Sequence, residues 1–410
     1  MKHAKSFRHL VLTQFLTVYN DNLFKQSALL LAIALQGEGG HGQATAQALF
    51  SMPFLLFAVV AGDCADRFPK RSVILACKAA EVLVMLLAAV AFVSGNLIFV
   101  LAVVFLMGTQ SAFLGPAKYG ALPELTEVGE LPRANGFFQA TVLLGILFGT
   151  GSAGHLPSTD LWILGLGMAI LAAIGVQVAR GMTPLPPAAP GKRIRFDPLG
   201  RLVRGLSDAR RLPGLLPALC GHAVFWFCGS LLLLAWNEFL AVNAEGVALV
   251  EIDPGTWSLG LAGLSLFMAL GALVAGQGLK ARLPRWIPVL GAFGMAGGFA
   301  LAGWMEPKPW PLFFAIGGAS FFSGFYLIPL RSLMQTLPPH DNIGAVLGTG
   351  QMLDFLLIFL AALGRPPMAE LGMGPQELLL LLGAVLALTG VALSRSLPRC
   401  VDLSAARTAA

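Results

Sequence analysis

Charged residues are scarce in this chain. Asp, Glu, Lys and Arg together make up 12% of its 410 residues, while hydrophobic residues make up 56%. Soluble globular proteins carry roughly 25% charged residues, because their surfaces face water. A chain so poor in charge cannot cover a water-facing surface over most of its area, which excludes a soluble enzyme or binding domain. The composition therefore indicates an integral membrane protein whose main solvent is lipid.

Motifs for disulfides, metals and nucleotides are also missing. The cysteines show no framework spacing, so we expect free thiols; the five are Cys64, Cys77, Cys220, Cys228 and Cys400. There is no His-Glu-x-x-His motif, no cysteine-rich metal spacing and no phosphate-binding loop. We therefore expect no metal, no cofactor and no ATP-driven mechanism. The net charge is +6, and the basic residues sit in short loops. Membrane topology explains their position better than nucleic-acid binding does.

Twelve apolar stretches are long enough to cross a bilayer. A transmembrane helix needs about 20 mostly apolar residues to cross roughly 30 Å of hydrocarbon. Charges, Pro-Gly clusters and polar turns separate the stretches, and an even number of spans returns both termini to one side. The predicted spans are residues 9–35, 43–63, 72–93, 97–117, 134–154, 160–179, 213–241, 257–279, 287–305, 311–335, 343–364 and 376–394.

The distribution of Lys and Arg predicts the orientation. Twenty-three of the 27 basic residues fall in the N-terminus, in alternate loops, in the long central linker or in the C-terminal tail. Only Lys308 and Arg365 fall in the opposite loops, and Lys25 and Lys78 lie within spans. Cytoplasmic loops carry an excess of Lys and Arg. Both termini are therefore predicted to be cytoplasmic.

The chain is internally repeated. Residues 62–71 between the second and third spans read GDCADRFPKR, and residues 276–285 between the eighth and ninth read GQGLKARLPR. The fourth span ends in PAK at residues 116–118, and the tenth ends in PLR at residues 329–331. Two six-helix halves joined by a long linker are typical of transporters that rock around a midplane site.

The first copy of this loop resembles the signature loop of the major facilitator superfamily. That signature is Gly-x-x-x-Asp-Arg followed by basic residues, and Phe68-Pro69 stands where the family usually has a glycine. The resemblance implies an all-α bundle of 12 transmembrane helices in two pseudo-symmetric six-helix halves. It also implies that Asp66, Arg67 and Arg71 hold the cytoplasmic helix ends together in one state. The alternative is that these residues only fix the topology.

The predicted domains are two halves, a linker and a tail. In chain order they are residues 1–180, 181–212, 213–395 and 396–410. Within the linker, residues 183–190 are proline-rich and are expected to form a semi-rigid spacer. Beyond them Leu199, Leu202, Val203 and Leu206 fall at helical spacing among arginines. We expect a basic amphipathic helix on the inner leaflet; a solvated linker is the alternative.

Ionisable residues inside spans are costly and usually mark a pathway. Gln14, Asp21 and Lys25 fall on one face of the first span, with Asp21 near the midplane at a rise of 1.5 Å per residue. Asp21 and Lys25 stand at i,i+4, which favours an ion pair. The eleventh span carries Gln351 and Asp354, the latter also near the midplane. Because these spans come from different halves, we expect both to line a central cavity.

A second pair, Lys78 and Glu81, stands at i,i+3 in the third span. Lys78 lies close enough to the predicted cytoplasmic end for its ammonium to reach the headgroup region. We therefore expect this pair to be mainly structural.

Four segments are similar to the bacterial lysophospholipid transporter family, a branch of the same superfamily. They are TQFL at residues 13–16, NDNLFKQ at 20–26, GPAKYGALPEL at 115–125 and RANG at 133–136. Members of that family flip lysophosphatidylethanolamine and lysophosphatidylglycerol across the inner membrane for reacylation. The form of the first span is similar to the version fused to acyltransferase and acyl-ligase domains.

The resemblance implies that Asp21, Lys118, Asn135 and Asp354 occupy polar cavity positions. Relatives also carry an arginine within the seventh span, where this chain reads GSLLLL, so Lys25 is a candidate for the missing charge. Independently, lysine and arginine suit the lipid phosphate, Asp21 and Asp354 suit an ethanolamine ammonium, and Phe-rich runs suit the acyl chain. The predicted substrate-binding residues are Asp21, Asn22, Lys25, Lys118, Asn135, Asp354, Gln351 and Arg331.

The expected partners are the lysophospholipid substrate, membrane lipids and a cytoplasmic acyltransferase that reacylates the product. The chain is expected to act as a monomer in the bacterial inner membrane. One alternative is a proton-coupled exporter of drugs or other amphipathic solutes, with Asp21 as the proton carrier. A second is an acyltransferase, since His155 and Asp160 fit a His-x4-Asp pattern, although a short outer turn leaves no room for an acyl donor.

The topology is testable by cysteine labelling. Cysteines introduced at Gly40, Ala248 and Gly372 should react with a membrane-impermeant thiol reagent applied to intact cells, because these positions fall in predicted outer loops. A cysteine at Ala188 in the linker should react only after the membrane is broken. Labelling of that position in intact cells would contradict the twelve-span assignment.

Overall fold

The computed structural model describes residues 3–36, 42–153, 161–239 and 249–405. Each predicted span coincides with one helix in these ranges, and one further helix, α7, lies in the predicted linker. The helices are α1 (Ala4–Gln36), α2 (Gly42–Arg67), α3 (Lys70–Ser94), α4 (Leu97–Leu125), α5 (Leu131–Ala153), α6 (Leu161–Arg180), α7 (Pro198–Arg211), α8 (Leu215–Glu238), α9 (Pro254–Gly278), α10 (Trp286–Trp304), α11 (Pro309–Thr336), α12 (Ile343–Glu370) and α13 (Pro375–Ser396). Short 3-10 helices occupy Val128–Glu130 and His340–Asn342, and the strands are β1 (Arg282–Pro284) and β2 (Cys400–Asp402).

Eleven helices in the described part of the chain are long and apolar enough to cross a membrane. Helix α1 is not among them, although its 33 residues exceed the length needed. Its central segment, residues 20–26, holds two asparagines, an aspartate, a lysine and a glutamine, which lower its mean hydropathy. Helix α1 completes the predicted set of twelve spans, and the predicted helical membrane bundle is confirmed.

The helices pack into two compact units that interleave along the chain. Unit 1 and unit 2 each take three segments, and both α5 and α12 contribute one part to each. Unit 1 is Met1–Glu127, Thr141–Asp208 and Pro338–Met352, and unit 2 is Val128–Ala140, Ala209–Leu337 and Leu353–Ala410. Because compact units reflect packing and not internal repetition, the boundaries of the two six-helix halves stay predictions.

In unit 1 the core lies where α1, α3, α4 and α6 meet. Phe24, Met85, Met107 and Met168, one from each helix, are at most 1% exposed. Alanines such as Ala88 fill the remaining positions, which allows the helix backbones to approach closely. Small residues serve this purpose in membranes, where van der Waals packing drives helix association.

In unit 2 two contacts fix the helix positions. A Cβ on Gly324 of α11 would lie 2.1 Å from the carbonyl carbon of Gly271 in α9, so only glycine fits there. The rings of Trp236 in α8 and Trp257 in α9 stack with centroids 3.9 Å apart. Each indole N–H donates to the backbone oxygen of the other residue, at 3.3 and 2.8 Å, so both polar groups are satisfied in an apolar setting.

The two copies of the repeated loop differ in structure. Residues 62–71 end α2 and begin α3 around a tight turn, whereas the second copy ends in β1. Strand β1 pairs antiparallel with β2, with Arg282 opposite Asp402. The C-terminal tail is therefore joined to the loop between α9 and α10.

Helix α7 confirms the helix predicted in the linker. Its N-cap is Asp197, whose Oδ1 accepts the N–H of Gly200 at 3.0 Å, and proline at the first helical position suits this end. Arg204 donates to Asp197 Oδ2 at 2.6 Å. The hydrogen bond from Arg204, followed by that from the Gly200 N–H, holds the pKa of Asp197 below its usual range.

Helix α7 exposes two large apolar side chains. Leu199 and Val203, one helical turn apart, are 72% and 66% exposed. Leu202 is buried on the opposite side. In a helix that lies in the membrane interface, lipid covers such exposed apolar side chains. The contact of α7 with lipid stays a prediction.

Arg365 does not lie in an outer loop, and this prediction is wrong. Helix α12 continues to Glu370, so Arg365 lies within it and is 7% exposed. Its Nε donates to Oε1 of Glu238 in α8 at 2.7 Å, and its Nη1 donates to the carbonyl of Met373 at 2.9 Å. The guanidinium is buried because these partners satisfy it, which loop-based charge counting cannot detect.

Candidate functional site

In unit 1 the carboxylate of Asp21 lies half-buried in the middle of α1. The hydroxyl of Ser111 in α4 donates to its Oδ2 at 2.9 Å. Its Oδ1 is buried and has no hydrogen-bond partner among the described residues. Leaving a buried acceptor unpaired is costly, so Asp21 keeps one oxygen available for a ligand that carries N–H groups.

The predicted ion pair between Asp21 and Lys25 is not formed. The Lys25 ammonium lies 5.4 Å from the ring centroid of Phe50 in α2, within the range of a cation–π contact. Asn22 turns back on its own helix and donates to the carbonyl of Val18 at 2.7 Å. The i,i+4 spacing brings Asp21 and Lys25 to one side of α1, but their side chains reach different partners.

A buried polar network joins α1 to α3. Lys78 and Glu81 are 0% and 1% exposed, so the prediction that Lys78 reaches the headgroup region is wrong. Lys78 Nζ donates to Glu81 Oε2 at 2.5 Å and to Thr17 Oγ1 at 3.1 Å. Asn20 Nδ2 donates to Glu81 Oε1 at 2.9 Å. In the sequence, the pattern that indicates this network is a shared i,i+3 spacing: Thr17 with Asn20 in α1, and Lys78 with Glu81 in α3.

Of two further predicted residues of unit 1, one lies in the motif at residues 115–125 and the other contacts it from α12. Lys118 Nζ lies 5.7 Å from the ring centroid of its neighbour Tyr119. Gln351 in α12 donates to the carbonyl of Ala112 at 3.3 Å. A Cβ on Gly115 would lie 2.0 Å from Gln351 Oε1, so the glycine that opens the motif makes room for this amide.

In unit 2 Asp354 and Arg331 meet on one histidine. His222 Nδ1 lies 2.8 Å from Asp354 Oδ1, and Arg331 Nη2 lies 2.7 Å from His222 Nε2. Because arginine can only donate, His222 Nε2 must accept, so the imidazole is neutral and carries its proton on Nδ1. That proton is donated to Asp354.

His222 was not among the predicted site residues. It is 1% exposed and links two of them, Asp354 and Arg331. The available signal was weak, since a single histidine in an apolar span more often satisfies a local packing need. We predicted that Lys25 replaces the arginine that relatives carry in the seventh span. The structure has a different polar residue, His222, in that span. His222 lies in the same span, α8, beside Arg331.

Asn135 is held by α11 within unit 2. Its Nδ2 donates to Ser332 Oγ at 3.0 Å and to Gln335 Oε1 at 2.6 Å. Its Oδ1 is buried and has no hydrogen-bond partner in the described part of the chain. The residue next to Ser332 is Arg331, so Asn135 contacts the helix turn that carries the arginine.

The predicted gating acid, Asp66, lies at the N-terminus of α12 within unit 1. Its buried carboxylate accepts the backbone N–H groups of Gly344 at 2.6 Å and Ala345 at 2.9 Å. First-turn N–H groups have no partner inside their own helix and form its positive end. Lys192 of the linker donates to the same carboxylate at 2.7 Å.

The loop arginines make other contacts. Arg67 lies over the ring of Phe68 at 5.5 Å, and Arg71 Nη2 donates to the carbonyl of Arg180 at 2.7 Å. Asp63, one turn before Asp66, is paired with Lys192 at 3.4 Å and with Arg201 of α7. The cations on the loop carboxylates therefore come from the linker, which local spacing could not indicate. His155 and Asp160, the acyltransferase-like pair, lie outside the described residues.

The pair Lys78–Glu81 gives a stability prediction. Replacing Lys78 with methionine leaves Glu81 without its cation in a buried site, at a cost of about 3–5 kcal/mol. Thermal unfolding in detergent should show a lower midpoint for Lys78→Met, and Lys78→Met with Glu81→Met should recover most of the loss. Lys308→Met, in the exposed pair with Glu306, is the control and should leave the midpoint unchanged. An equal loss in the double and single variants would contradict the pairing.

The major facilitator superfamily model matches residues 10–362. The lysophospholipid transporter LplT of Cronobacter sakazakii is 30% identical, over 81% of this chain and 80% of its own length. LplT of Enterobacter sp. is 29% identical over 95% of both chains. Among solved structures, the human organic anion transporter MFSD10 has a TM-score of 0.77 at 18% identity, covering 94% of this chain and 99% of its own. The proton:xylose symporter XylE has a TM-score of 0.71 at 13% identity, covering 98% and 99%.

The two solved structures support the fold alone, because their sequences are distant. The family model and the curated relatives cover most of the chain and agree with each other. The protein is therefore a multi-pass membrane transporter that belongs to the major facilitator superfamily and, within it, to the family of the bacterial lysophospholipid transporters.

Proposed function

We propose that the chain is a flippase that moves lysophospholipids, such as lysophosphatidylethanolamine and lysophosphatidylglycerol, across the bacterial inner membrane by alternating access. This proposal rests mainly on the hydrogen-bonded side chains of Arg331, His222 and Asp354 in unit 2. It offers a guanidinium and a carboxylate inside apolar helices, and these match the phosphate and the ammonium of lysophosphatidylethanolamine. The relatives named lysophospholipid transporters support the same substrate class.

Arg331 is the phosphate-binding group in this proposal. Guanidinium groups bind phosphate through two parallel N–H donors, and such charge-assisted bonds are about twice as strong as neutral ones. The imidazole of His222 accepts one N–H of Arg331 and brings no negative charge to it. His222 is thereby a positioning residue for both Arg331 and Asp354.

In unit 1, Asp21 is the proposed acceptor for headgroup N–H or O–H donors, because its Oδ1 has no hydrogen-bond partner among the described residues. Lys25 and Lys118 are the proposed cations of this unit, and the ammonium of each lies over an aromatic ring. Asn22, Gln351 and Asn135 complete the proposed set as polar neighbours.

Asp66 is the proposed core of a gate, with Arg67 and Arg71 beside it in the loop. Three charge-assisted hydrogen bonds converge on its carboxylate from Gly344, Ala345 and Lys192. In the proposed cycle these bonds form in one state and break in the other, so Asp66 stabilises one conformation selectively. Both termini, the gate and the linker lie on the cytoplasmic side, where an acyltransferase reacylates the delivered lipid, and the monomer is the working form.

The function is tested by lipid flipping in liposomes. Purified protein should move fluorescent lysophosphatidylethanolamine or lysophosphatidylglycerol between leaflets faster than protein-free vesicles do. Asp354→Asn and Arg331→Gln should each slow this by about tenfold to a hundredfold, the effect of losing one charge-assisted bond. Glu306→Gln, an exposed loop carboxylate, is the matched control and should flip normally. A protein that flips neither lipid but exports cationic dyes along a proton gradient would favour the exporter alternative.

The gate is tested by the accessibility of α12. In a chain whose native cysteines are replaced by serine, Thr349→Cys should react slowly, because Thr349 is 2% exposed. Adding Asp66→Asn should raise the labelling rate by about tenfold or more, since loss of the carboxylate charge weakens all three bonds. Asp341→Asn, which leaves these bonds intact, should not raise it. Equal rates in all three backgrounds would remove Asp66 from the gate.

A further inference from the structure

A laterally open groove runs along unit 1 over α3 and α4, and Cys64 of α2 lines it near the turn between α2 and α3. Helices α2 and α3 both pack on α4 but barely touch each other, because they diverge from the two-residue turn Phe68-Pro69. The groove has a volume of about 760 Å³, within the range of small-molecule sites, which is about 300–1,000 Å³. Its lining is almost entirely apolar and includes Cys64, Val84, Leu106 and Phe113.

Its length suits one extended acyl chain. The lining residues on α3 run from Ser72 to Val84, which at a rise of 1.5 Å per residue spans about 18 Å. Small side chains on this helix, Ser72, Ala76 and Ala80, leave the space open, and the first two are exposed.

One cation at the turn forms no hydrogen bond or ion pair with the described residues. Lys70 is paired with Glu124, and Arg71 donates to the carbonyl of Arg180. Arg67 is half-buried, and within the described ranges its guanidinium contacts only the ring of Phe68, which lines the groove. The apolar groove thus has a positive group at the end that the distribution of Lys and Arg predicts to be cytoplasmic.

The other end of the groove approaches the proposed headgroup residues. Gln110 lines it, and Gln110 Oε1 lies 3.0 Å from the hydroxyl oxygen of Ser111. The same hydroxyl donates its hydrogen bond to Asp21. Two residues, Gln110 and Ser111, would therefore separate a lipid chain in the groove from Asp21.

We infer that this groove is a second lipid site, which binds the acyl chain of a lysophospholipid in the inner leaflet with its phosphate on Arg67. The inference rests on the proposed function for the choice of a single-chain lipid. The site is separate from the headgroup residues, and it holds the transported lipid at the cytoplasmic surface before or after flipping. A phospholipid resident in the groove would share the chemistry, and the experiment below separates the two.

The test is binding of radiolabelled 1-palmitoyl lysophosphatidylglycerol to purified protein in detergent, where the groove and the headgroup residues should together bind two lipids per protein. Ala80→Trp and Ala76→Trp fill the groove and should each weaken one of these two binding events by about tenfold or more. Ala79→Trp is the matched control, since Ala79 is exposed on the same helix and does not line the groove. It should change binding by less than about twofold. Arg67→Gln should weaken binding and reduce its dependence on salt, because a phosphate contact is screened by ions.

Two results would overturn the inference, and they can be distinguished from each other. Normal binding by both groove-filling variants, with unchanged elution in size-exclusion chromatography, would place the acyl chain elsewhere. Competition by dipalmitoyl phosphatidylglycerol as effective as that by the lysolipid would identify a resident phospholipid site. Flipping is measured separately, so a protein that binds through the groove but does not flip would contradict the proposed function and leave the groove standing.

Discussion

An ionisable side chain inside hydrocarbon needs a partner from the protein itself, because no water is there to solvate it. Most of the tertiary contacts described above follow from this constraint. Lys78 with Glu81 ties α3 to α1 through Asn20, and Glu238 with Arg365 ties α8 to α12. Each pair removes a charge from lipid and fixes the relative rotation of two helices at the same time. Among the residues proposed for transport, Asp21 and Asn135 each keep one buried oxygen without a hydrogen-bond partner in the described part of the chain.

The spans, their number and the buried acids followed from sequence because they depend on local composition. Asp21 and Asp354 stand out as charges in apolar runs, and the helix in the linker follows from its periodicity. The partners did not follow, because they come from distant segments: His222 lies 132 residues from Asp354, and Lys192 lies 126 residues from Asp66. Spacing also misjudged Lys25, since a shared helix face does not decide which of several nearby groups a long side chain reaches.

The linker is a structural part of unit 1 and more than a tether. Through Lys192 and Arg201 it supplies the positive charge for Asp63 and Asp66, and the N–H of Ala189 donates to the backbone oxygen of Asp66 at 2.8 Å. The same helix that carries Arg201 turns Leu199 outward. A force applied to α7 would therefore act on the carboxylates of the loop.

The way in which α12 receives Asp66 has an evolutionary consequence. The donors are main-chain N–H groups of Gly344 and Ala345, which every residue except proline provides. The hydrogen bond to Asp66 therefore does not depend on which side chain stands at position 345. Position 344 must stay small, because its backbone lies against that of Gly62. The aspartate has no such latitude, since only a short carboxylate delivers a negative charge to both N–H groups. Compensatory changes for its loss would arise among the cations of the linker and not in the helix that it caps.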